Sequence, residues 1–202
     1  MRVRGENMIN TTGMIVNDLK GYRSPYDKLS RMVRDGIYIP LTKGIYETDA
    51  STPGYLLAGA IYGPSYLSFE FALQYYGMIP EGVIAFTSAT FGKKKKKKYE
   101  NKFGVYTYRD VPDDVYHLGI EYMQEGQYSY FIASREKAIC DELYKQRPVS
   151  NYSELKAMLF GDLRIDEYEL GKIDPGSLEI IASRYPSTNV KRFYRYIRRN
   201  SK

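Results

Sequence analysis

Few side chains in this sequence have the types and spacing that catalysis or metal binding requires. His117 is the single histidine, and it lies in a predicted strand over 116–123 without a metal-ligand partner at a useful spacing. Cys140 falls on the apolar side of a predicted helix, which is typical of a buried structural thiol. The neighbouring carboxylates Asp113–Asp114 and Asp166–Glu167 would point apart in regular structure, so we interpret them as surface or helix-start residues.

Known catalytic and phosphate-binding motifs are also missing from the sequence. It contains no GxGxxG dinucleotide fingerprint, no P-loop and no GxSxG nucleophile elbow. We therefore expect a protein that is not an enzyme and that uses no catalytic residue, metal or cofactor.

The most informative segment is "GYRSPYDKLSRMVRDG", which predicts a helix over 25–35. Ser24 suits the N-cap, Pro25 the first helical position, and Asp27 the positively polarised first turn. Gly36 stands where a C-terminal cap is expected. The apolar residues that recur at helical spacing are Leu29, Met32 and Val33.

The opposite side of this helix is basic, which is either a solvated surface or a nucleic-acid-binding face. In a recognition helix the early and central turns face the DNA groove, and more distant cations meet phosphates. The residues expected to contact base edges are Tyr26, Lys28, Ser30 and Arg31. Those expected to contact phosphates are Arg23, Arg34 and Lys43, and Ser24 and Thr42 complete the candidate DNA-binding set.

The elements around the basic helix predict a winged helix-turn-helix. A short helix is expected at 15–21, and two short strands at 37–41 and 45–48 would form a hairpin, with Pro40 confining the first strand to a sheet edge. Helix, turn, basic helix and hairpin in this order is the pattern of that DNA-binding module. Residues 1–13 have little helical signal, so the module's usual first helix is expected to be short, irregular or missing.

Six consecutive lysines form a second basic feature. The chain has 30 Lys and Arg against 24 Asp and Glu, a net charge of +6, and the run alone equals that excess. Because alternating segments flank the run, we expect it at the tip of a β-hairpin between about Phe91 and Phe103, mobile and accessory to DNA binding. Its members are Lys93, Lys94, Lys95, Lys96, Lys97 and Lys98.

The rest of the chain predicts a mixed α and β region with a helical C-terminus. Helices are expected from Thr52 to Tyr62, from Ser68 to Tyr76 and from an N-cap at Ser134 to before Pro148, followed by a four-helix C-terminal region with start signals at Asp174-Pro175 and Ser187. Strands are expected at 83–91, 104–111, 116–123 and 127–133, and the first two would pair through the lysine loop.

Composition limits where the protein is expected to work. One cysteine cannot form an internal disulfide, and no apolar stretch approaches the roughly 20 residues of a membrane span. Since no signal-peptide pattern opens the chain, we expect a cytoplasmic protein without a membrane partner. The 22 tyrosines must supply much of the aromatic packing because tryptophan is absent.

Four segments in this order resemble the AbiEi abortive-infection antitoxins and related transcriptional regulators. They are "DKLSRMVRDGIYIPLTKGIYE", "PSYLSFEFALQYYGMIPE", "FTSATFGKKKKKKYENKFGVYTYRDV" and "YFIASREKAICDELY", and the similarity covers roughly residues 14–199. In the last segment the residues that match the family's helix are Ser134, Glu136, Lys137, Asp141 and Tyr144.

The resemblance implies an antitoxin of a type IV toxin–antitoxin system. In such proteins an N-terminal winged helix binds and represses the operon's own promoter, and a C-terminal domain counteracts a co-encoded nucleotidyltransferase-like toxin without requiring a stable complex. The expected fold is α+β, with a winged-helix-like domain over 1–50 and an antitoxin-like domain over 51–202. Two other hypotheses remain: an interaction module that neutralises a toxin without binding DNA, and an RNA-binding protein that uses the lysine loop and tyrosine-rich strands.

Overall fold

The computed structural model describes residues 9–80 and 82–200. Residues 9–50, here called the N-terminal module, contain β1 (Ile9–Thr11), α1 (Thr12–Asp18), α2 (Pro25–Arg34), β2 (Ile39–Thr42) and β3 (Ile45–Glu47). The strands form an antiparallel sheet in the order β1-β3-β2. Most of the segment expected to lack a regular first helix, residues 1–8, lies outside the described residues.

The module has its own cluster of buried apolar side chains, and both helices contribute to it. Helix α1 begins before the predicted residue 15 because Thr11 caps it: the Met14 N–H donates to the Thr11 Oγ1 at 3.3 Å. Helix α2 agrees with the prediction and is followed by Gly36 at φ +75°, a conformation that favours glycine. The buried cluster is Ile15, Leu19, Leu29, Met32 and Tyr38.

Residues 51–200, here called the C-terminal region, make the chain an α+β protein. Its strands are β4 (Tyr66–Leu67), β5 (Ala85–Thr90), β6 (Lys97–Asn101), β7 (Gly104–Asp110), β8 (Ile120–Glu125) and β9 (Tyr128–Ala133). Its helical elements are a 3₁₀ helix (Gly54–Leu57), α3 (Ala58–Ile61), α4 (Phe69–Tyr75), α5 (Asp113–Tyr116), α6 (Arg135–Lys145), α7 (Tyr152–Lys156), a π-helical turn (Ala157–Asp162), α8 (Glu167–Leu170), α9 (Pro175–Arg184) and α10 (Thr188–Asn200).

The six strands form one mixed sheet in the order β6-β7-β5-β4-β9-β8. Strands β5 and β7 pair in parallel, so the prediction that they form a hairpin through the lysine loop is wrong. The last two lysines begin β6, which forms the hairpin with β7 and places Lys98 opposite Thr107. Strand β6 therefore runs opposite to both β5 and β7, and the turn between β6 and β7 returns the chain to the direction of β5.

Two other element predictions are corrected by tertiary contacts. The helix predicted from Thr52 begins later, as the 3₁₀ helix at Gly54. The Thr52 hydroxyl does not cap this helix and lies instead 3.0 Å from the Tyr128 hydroxyl. The predicted strand 116–123 divides into the end of α5 and the start of β8. Gly119 separates them at φ +60°, a backbone conformation that an extended strand does not contain.

The N-terminal module is attached to the C-terminal region through buried polar groups. Glu47, the last residue of β3, is fully buried, and its carboxylate accepts from the Tyr128 hydroxyl at 2.9 Å. It also accepts the backbone N–H groups of Thr48 and Asp49 at 2.7 and 3.0 Å. The Asn101 amide at the end of β6 donates to a carbonyl of β2 at 3.0 Å. Within residues 9–80 and 82–200 no helix is long and apolar enough to cross a membrane.

Candidate nucleic-acid interface

Helix α2 presents a basic face to solvent, as its sequence pattern predicts. Arg31 and Arg34 are exposed, and Tyr26 is 64% exposed although it is a large aromatic residue. In the described part of the chain no salt bridge neutralises either arginine. Because the opposite side of the helix is fixed in the module's core by Leu29 and Met32, this face has a defined orientation.

The start of α2 differs from the capping prediction. Ser24 occupies the N-cap position, but its side chain makes no capping hydrogen bond to the backbone. Its hydroxyl donates instead to the Asp27 carboxylate at 2.6 Å. The structure therefore adds an exposed acidic group to the interface, one that the candidate set did not contain, and the Ser24 hydroxyl is already engaged.

The remaining candidates on α2 and the preceding turn differ in accessibility. Arg23 is exposed, whereas Lys28 is half-buried, with its Nζ 5.4 Å from the ring centroid of Tyr22. The Ser30 hydroxyl donates to the Tyr26 carbonyl at 3.0 Å, within the same helix. Sequence reasoning omitted Tyr22 because an aromatic residue six positions before a lysine gives no periodic signal.

The hairpin of β2 and β3 places its tip beside the start of α1. Lys43 is exposed at this tip, and the preceding Thr42 is half-buried. Gly44 follows at φ +79°, and its carbonyl accepts the Thr12 N–H at 2.9 Å. The tip is therefore short and held against α1, which limits how far the Lys43 side chain can reach from the module.

The lysine run is divided between a loop and a strand, so the hairpin-tip prediction for it is wrong. Lys97 and Lys98 belong to the edge strand β6. At the other end, the Lys93 ammonium donates to the Gly63 carbonyl at 3.3 Å, and the Lys94 backbone N–H donates to Asp110. These contacts give the run a defined path along the sheet.

The resemblance-matched helix is α6, and its matched residues lie inside the protein. Glu136, Lys137 and Asp141 are buried, while Tyr144 is half-buried and its ring lies tilted against that of Tyr185, with 5.8 Å between ring centroids. Ser134 caps the helix, since its Oγ accepts the Lys137 N–H at 3.3 Å and also donates to Glu136 at 2.9 Å. The set therefore offers little surface for a partner.

Lys137 and Asp141 form the centre of a buried polar network. The Lys137 Nζ lies 3.3 Å from the Asp141 Oδ1, and it donates to the Val115 carbonyl at 2.8 Å and to the Tyr185 hydroxyl at 2.7 Å. Burial lowers the pKa of Lys137, an effect that the Asp141 carboxylate opposes.

Three hydroxyls complete the coordination of the Asp141 carboxylate. Tyr66 and Ser68 donate to its Oδ2 at 2.9 and 2.7 Å, and Tyr185 donates to its Oδ1. Burial and the Asp141 charge raise the pKa of both tyrosines well above the ordinary value. Sequence reasoning missed these donors because they lie 44 to 75 residues from Asp141 and share no local pattern with it.

The groups considered for catalysis are not assembled into a site. His117 follows α5 and is exposed, which corrects its placement in a strand. Cys140 is fully buried, and burial raises the pKa of its thiol. No group of three or more His, Cys, Asp or Glu residues among the described residues could hold a metal ion.

Two tyrosines of the strands considered as a stacking platform for RNA are enclosed by the fold. Tyr106 and Tyr108 of β7 are fully buried, and their hydroxyls donate to the Gly54 and Ala58 carbonyls at 3.1 and 2.7 Å. A buried ring cannot stack on an unpaired base, so these residues fill the core, as their alternation with small residues predicts.

The chain was also compared with known proteins. No model of a protein family matches it, and no curated protein sequence matches it at a significant level. The geometry of the exposed α2 face, the hairpin and the buried α6 network is therefore the direct structural basis for a functional proposal.

Proposed function

We propose that this protein is an antitoxin and a DNA-binding autorepressor of a toxin–antitoxin operon, and that its N-terminal module is a winged helix-turn-helix. The observation that carries the proposal is the exposed basic face of α2, whose Arg31 and Arg34 form no salt bridge with any other described residue. Two helices followed by a hairpin, with the second helix basic and exposed, form the arrangement that places a recognition helix in the major groove.

The sheet order supports the same proposal. Strand β1 leads into α1, and β3 pairs with both β1 and β2, so the hairpin tip lies next to the beginning of α1. In a helix-turn-helix the first helix crosses the DNA backbone. Under this proposal the exposed Lys43 beside that helix would contact a phosphate.

Roles for the α2 side chains follow from their exposure. Arg31 and Tyr26 would contact base edges, since an arginine can donate two hydrogen bonds to guanine. Arg23 and Arg34 would contact phosphates, and Asp27 would disfavour phosphate contact near the start of the helix. We expect Ser24, Ser30 and Lys28 to contribute less to DNA binding because each already has an intramolecular contact.

The antitoxin part of the proposal is supported by the family resemblance of the four segments. The C-terminal region would counteract a co-encoded nucleotidyltransferase-like toxin in the cytoplasm, without a stable complex being required. Because Glu136, Lys137 and Asp141 are buried, their role in this proposal is structural. Asp141 links α6 to β4 and the start of α4, Lys137 links it to α5 and Tyr185, and Glu136 accepts the backbone N–H of Asp174 before α9.

The decisive experiment is a fluorescence-anisotropy titration with DNA from immediately upstream of the gene, at low salt. We expect the wild-type protein to prefer this DNA over a shuffled duplex, and the Arg31→Ala variant to lose the preference. Absence of binding by the folded wild-type protein at low salt would rule out the repressor half.

A second candidate function is toxin neutralisation by an interaction module that does not bind DNA. It is favoured by an exposed aromatic pair on β8 and β9: Tyr122 and Phe131 are 61% and 51% exposed, with ring centroids 5.7 Å apart. Exposed aromatic residues are enriched at protein interfaces. The two functions can be separated by growth rescue on toxin co-expression with the full-length variant Arg31→Ala/Arg34→Ala/Lys43→Ala. This variant removes proposed DNA contacts but leaves the buried Glu47 junction intact, so rescue by it would assign neutralisation to a function other than DNA binding.

A further inference from the structure

A cavity of about 830 Å³ lies between α4, the β6-β7-β5 end of the large sheet and the π-helical turn. Its volume is in the range of small-molecule and cofactor sites. Most of its lining is apolar, from residues that belong to different parts of the chain. The principal apolar residues are Leu73, Ile79, Val83, Ile84 and Leu163.

Charged side chains form one part of the cavity wall. Arg109 pairs with Glu70, and its Nη1 lies 3.7 Å from the Glu142 Oε2. Glu142 is only 3% exposed; its Oε1 accepts from the Gln146 amide at 2.5 Å, but its Oε2 has no hydrogen-bond partner among the described residues. Burial and the Glu70 charge raise the pKa of Glu142. A buried carboxylate oxygen in this position is an acceptor for a ligand N–H group.

The lysine run supplies the cationic part of the same cavity. Lys96, Lys97 and Lys98 line it, and Lys98 lies opposite Thr107, which also lines it. All three lysines are exposed to solvent, so their ammonium groups can reorient towards a bound anion. The first three lysines of the run do not belong to the lining.

We propose that this cavity binds a nucleoside polyphosphate, with its base between the apolar residues, a base N–H donating to Glu142, and its phosphates at Lys96 and Lys98. An apolar wall, a buried acceptor and a cationic side together match a base, its donor edge and its phosphates. A fatty acid has no N–H donor, and inorganic polyphosphate has no apolar part. The site is independent of the DNA-binding proposal, because α2 and the hairpin tip contribute nothing to it.

Isothermal titration of the full-length protein with GTP and with ATP tests the proposal. The variant Lys96→Gln/Lys98→Gln is expected to bind at least one of them about tenfold more weakly than wild type, since each lysine–phosphate contact at a partly exposed site is modest. The matched control is Lys94→Gln/Lys95→Gln, which removes the same charge from the same run outside the cavity. Its affinity is expected to stay within about twofold of wild type.

Two further titrations examine the base. Inorganic triphosphate and the corresponding nucleoside are each expected to bind more weakly than whichever of GTP and ATP binds more tightly, and Glu142→Gln is expected to weaken that nucleotide while leaving triphosphate unchanged. The proposal fails if neither nucleotide binds at millimolar concentration, if triphosphate binds as tightly as the tighter-binding nucleotide, or if the two lysine pairs have equal effects. Thermal unfolding of each variant verifies the fold, and the lysine pairs alone decide the proposal if Glu142→Gln does not fold.

Discussion

Helices α2 and α6 each carry an acidic and a basic residue four positions apart, in opposite environments. In α2 both Asp27 and Arg31 are exposed, and the Arg31 Nε reaches only the Asp27 backbone carbonyl, at 3.4 Å. In α6 both Lys137 and Asp141 are fully buried, with 3.3 Å between Nζ and Oδ1. Since water solvates and screens the exposed charges, Arg31 stays available to a partner, whereas Lys137 is fixed inside the fold.

The difference shows that spacing alone does not assign a role to a charged pair. A buried pair requires further donors and acceptors, which here come from the distant residues Tyr66, Ser68 and Tyr185. An exposed pair has no such requirement and can change without affecting the core. Substitutions of the buried pair in α6 should therefore lower stability, whereas substitutions on the exposed side of α2 should reduce DNA binding and leave stability nearly unchanged.

The largest effect is expected from Lys137→Met. This variant leaves Asp141 buried without its cation, which should lower the free energy of unfolding by about 3–5 kcal/mol, as measured by urea denaturation. The double variant Lys137→Met/Asp141→Leu should recover part of that loss because no uncompensated charge remains. A loss below about 1 kcal/mol for the single variant would contradict the structural role of the network.

A glycine pair sharpens the same comparison through backbone conformation. Gly119 has φ +60°, and an added Cβ would lie 2.7 Å from the Ile181 Cδ1 and 3.0 Å from the Lys137 Cβ. Gly36, after α2, has φ +75°, and apart from its two chain neighbours no atom of the described residues lies within 4 Å of an added Cβ. Thermal or urea unfolding should show a loss of about 2–4 kcal/mol for Gly119→Ala and of about 1–2 kcal/mol for Gly36→Ala. Equal losses would mean that crowding around Gly119 is relieved by small shifts.

In α2, Arg31→Ala is expected to separate stability from binding. Its free energy of unfolding should remain within about 0.5 kcal/mol of wild type because the side chain is exposed. Its affinity for the upstream DNA should fall by about 1–3 kcal/mol, with reduced preference over shuffled DNA in anisotropy titrations. An unchanged preference would remove Arg31 from the base-reading residues.

The smallest effect is expected at the hairpin tip. Replacing Lys43 by alanine should reduce the slope of log affinity against log salt by about 1, equally for specific and shuffled DNA, because one phosphate contact is lost. Binding isotherms at several salt concentrations provide this slope. A sequence-dependent change would instead place Lys43 at a base edge.

Much of the local structure could be predicted from capping residues and apolar spacing. Ser134 and Asp174 cap α6 and α9 as predicted, with backbone N–H groups 3.3 and 2.7 Å from their side-chain oxygens. The exposed basic side of α2 was also predictable, since three cations alternate with core residues. The contact of the Ser24 side chain was not, because its hydroxyl can either accept a backbone N–H as a cap or donate to the Asp27 carboxylate, and the local geometry decides between the two.

Sheet pairing was less accessible to sequence reasoning. The alternation of β5 and β7 predicted two strands and their adjacency, but not their parallel direction, which depends on β6 forming between them. The formation of β6 also divides the lysine run between a loop and a strand. Lys98 becomes part of a cavity wall only because Thr107 pairs with it and α4 lies nearby.

The sequence by itself determined the α+β class, the helix caps and the basic side of α2, because these depend on interactions between residues a few positions apart. Only the tertiary structure decided which charges are buried, which strands run in parallel and which half of the lysine run lines a cavity. Those outcomes depend on contacts between distant segments, and burial then changes the energy of the same ionic groups by removing water.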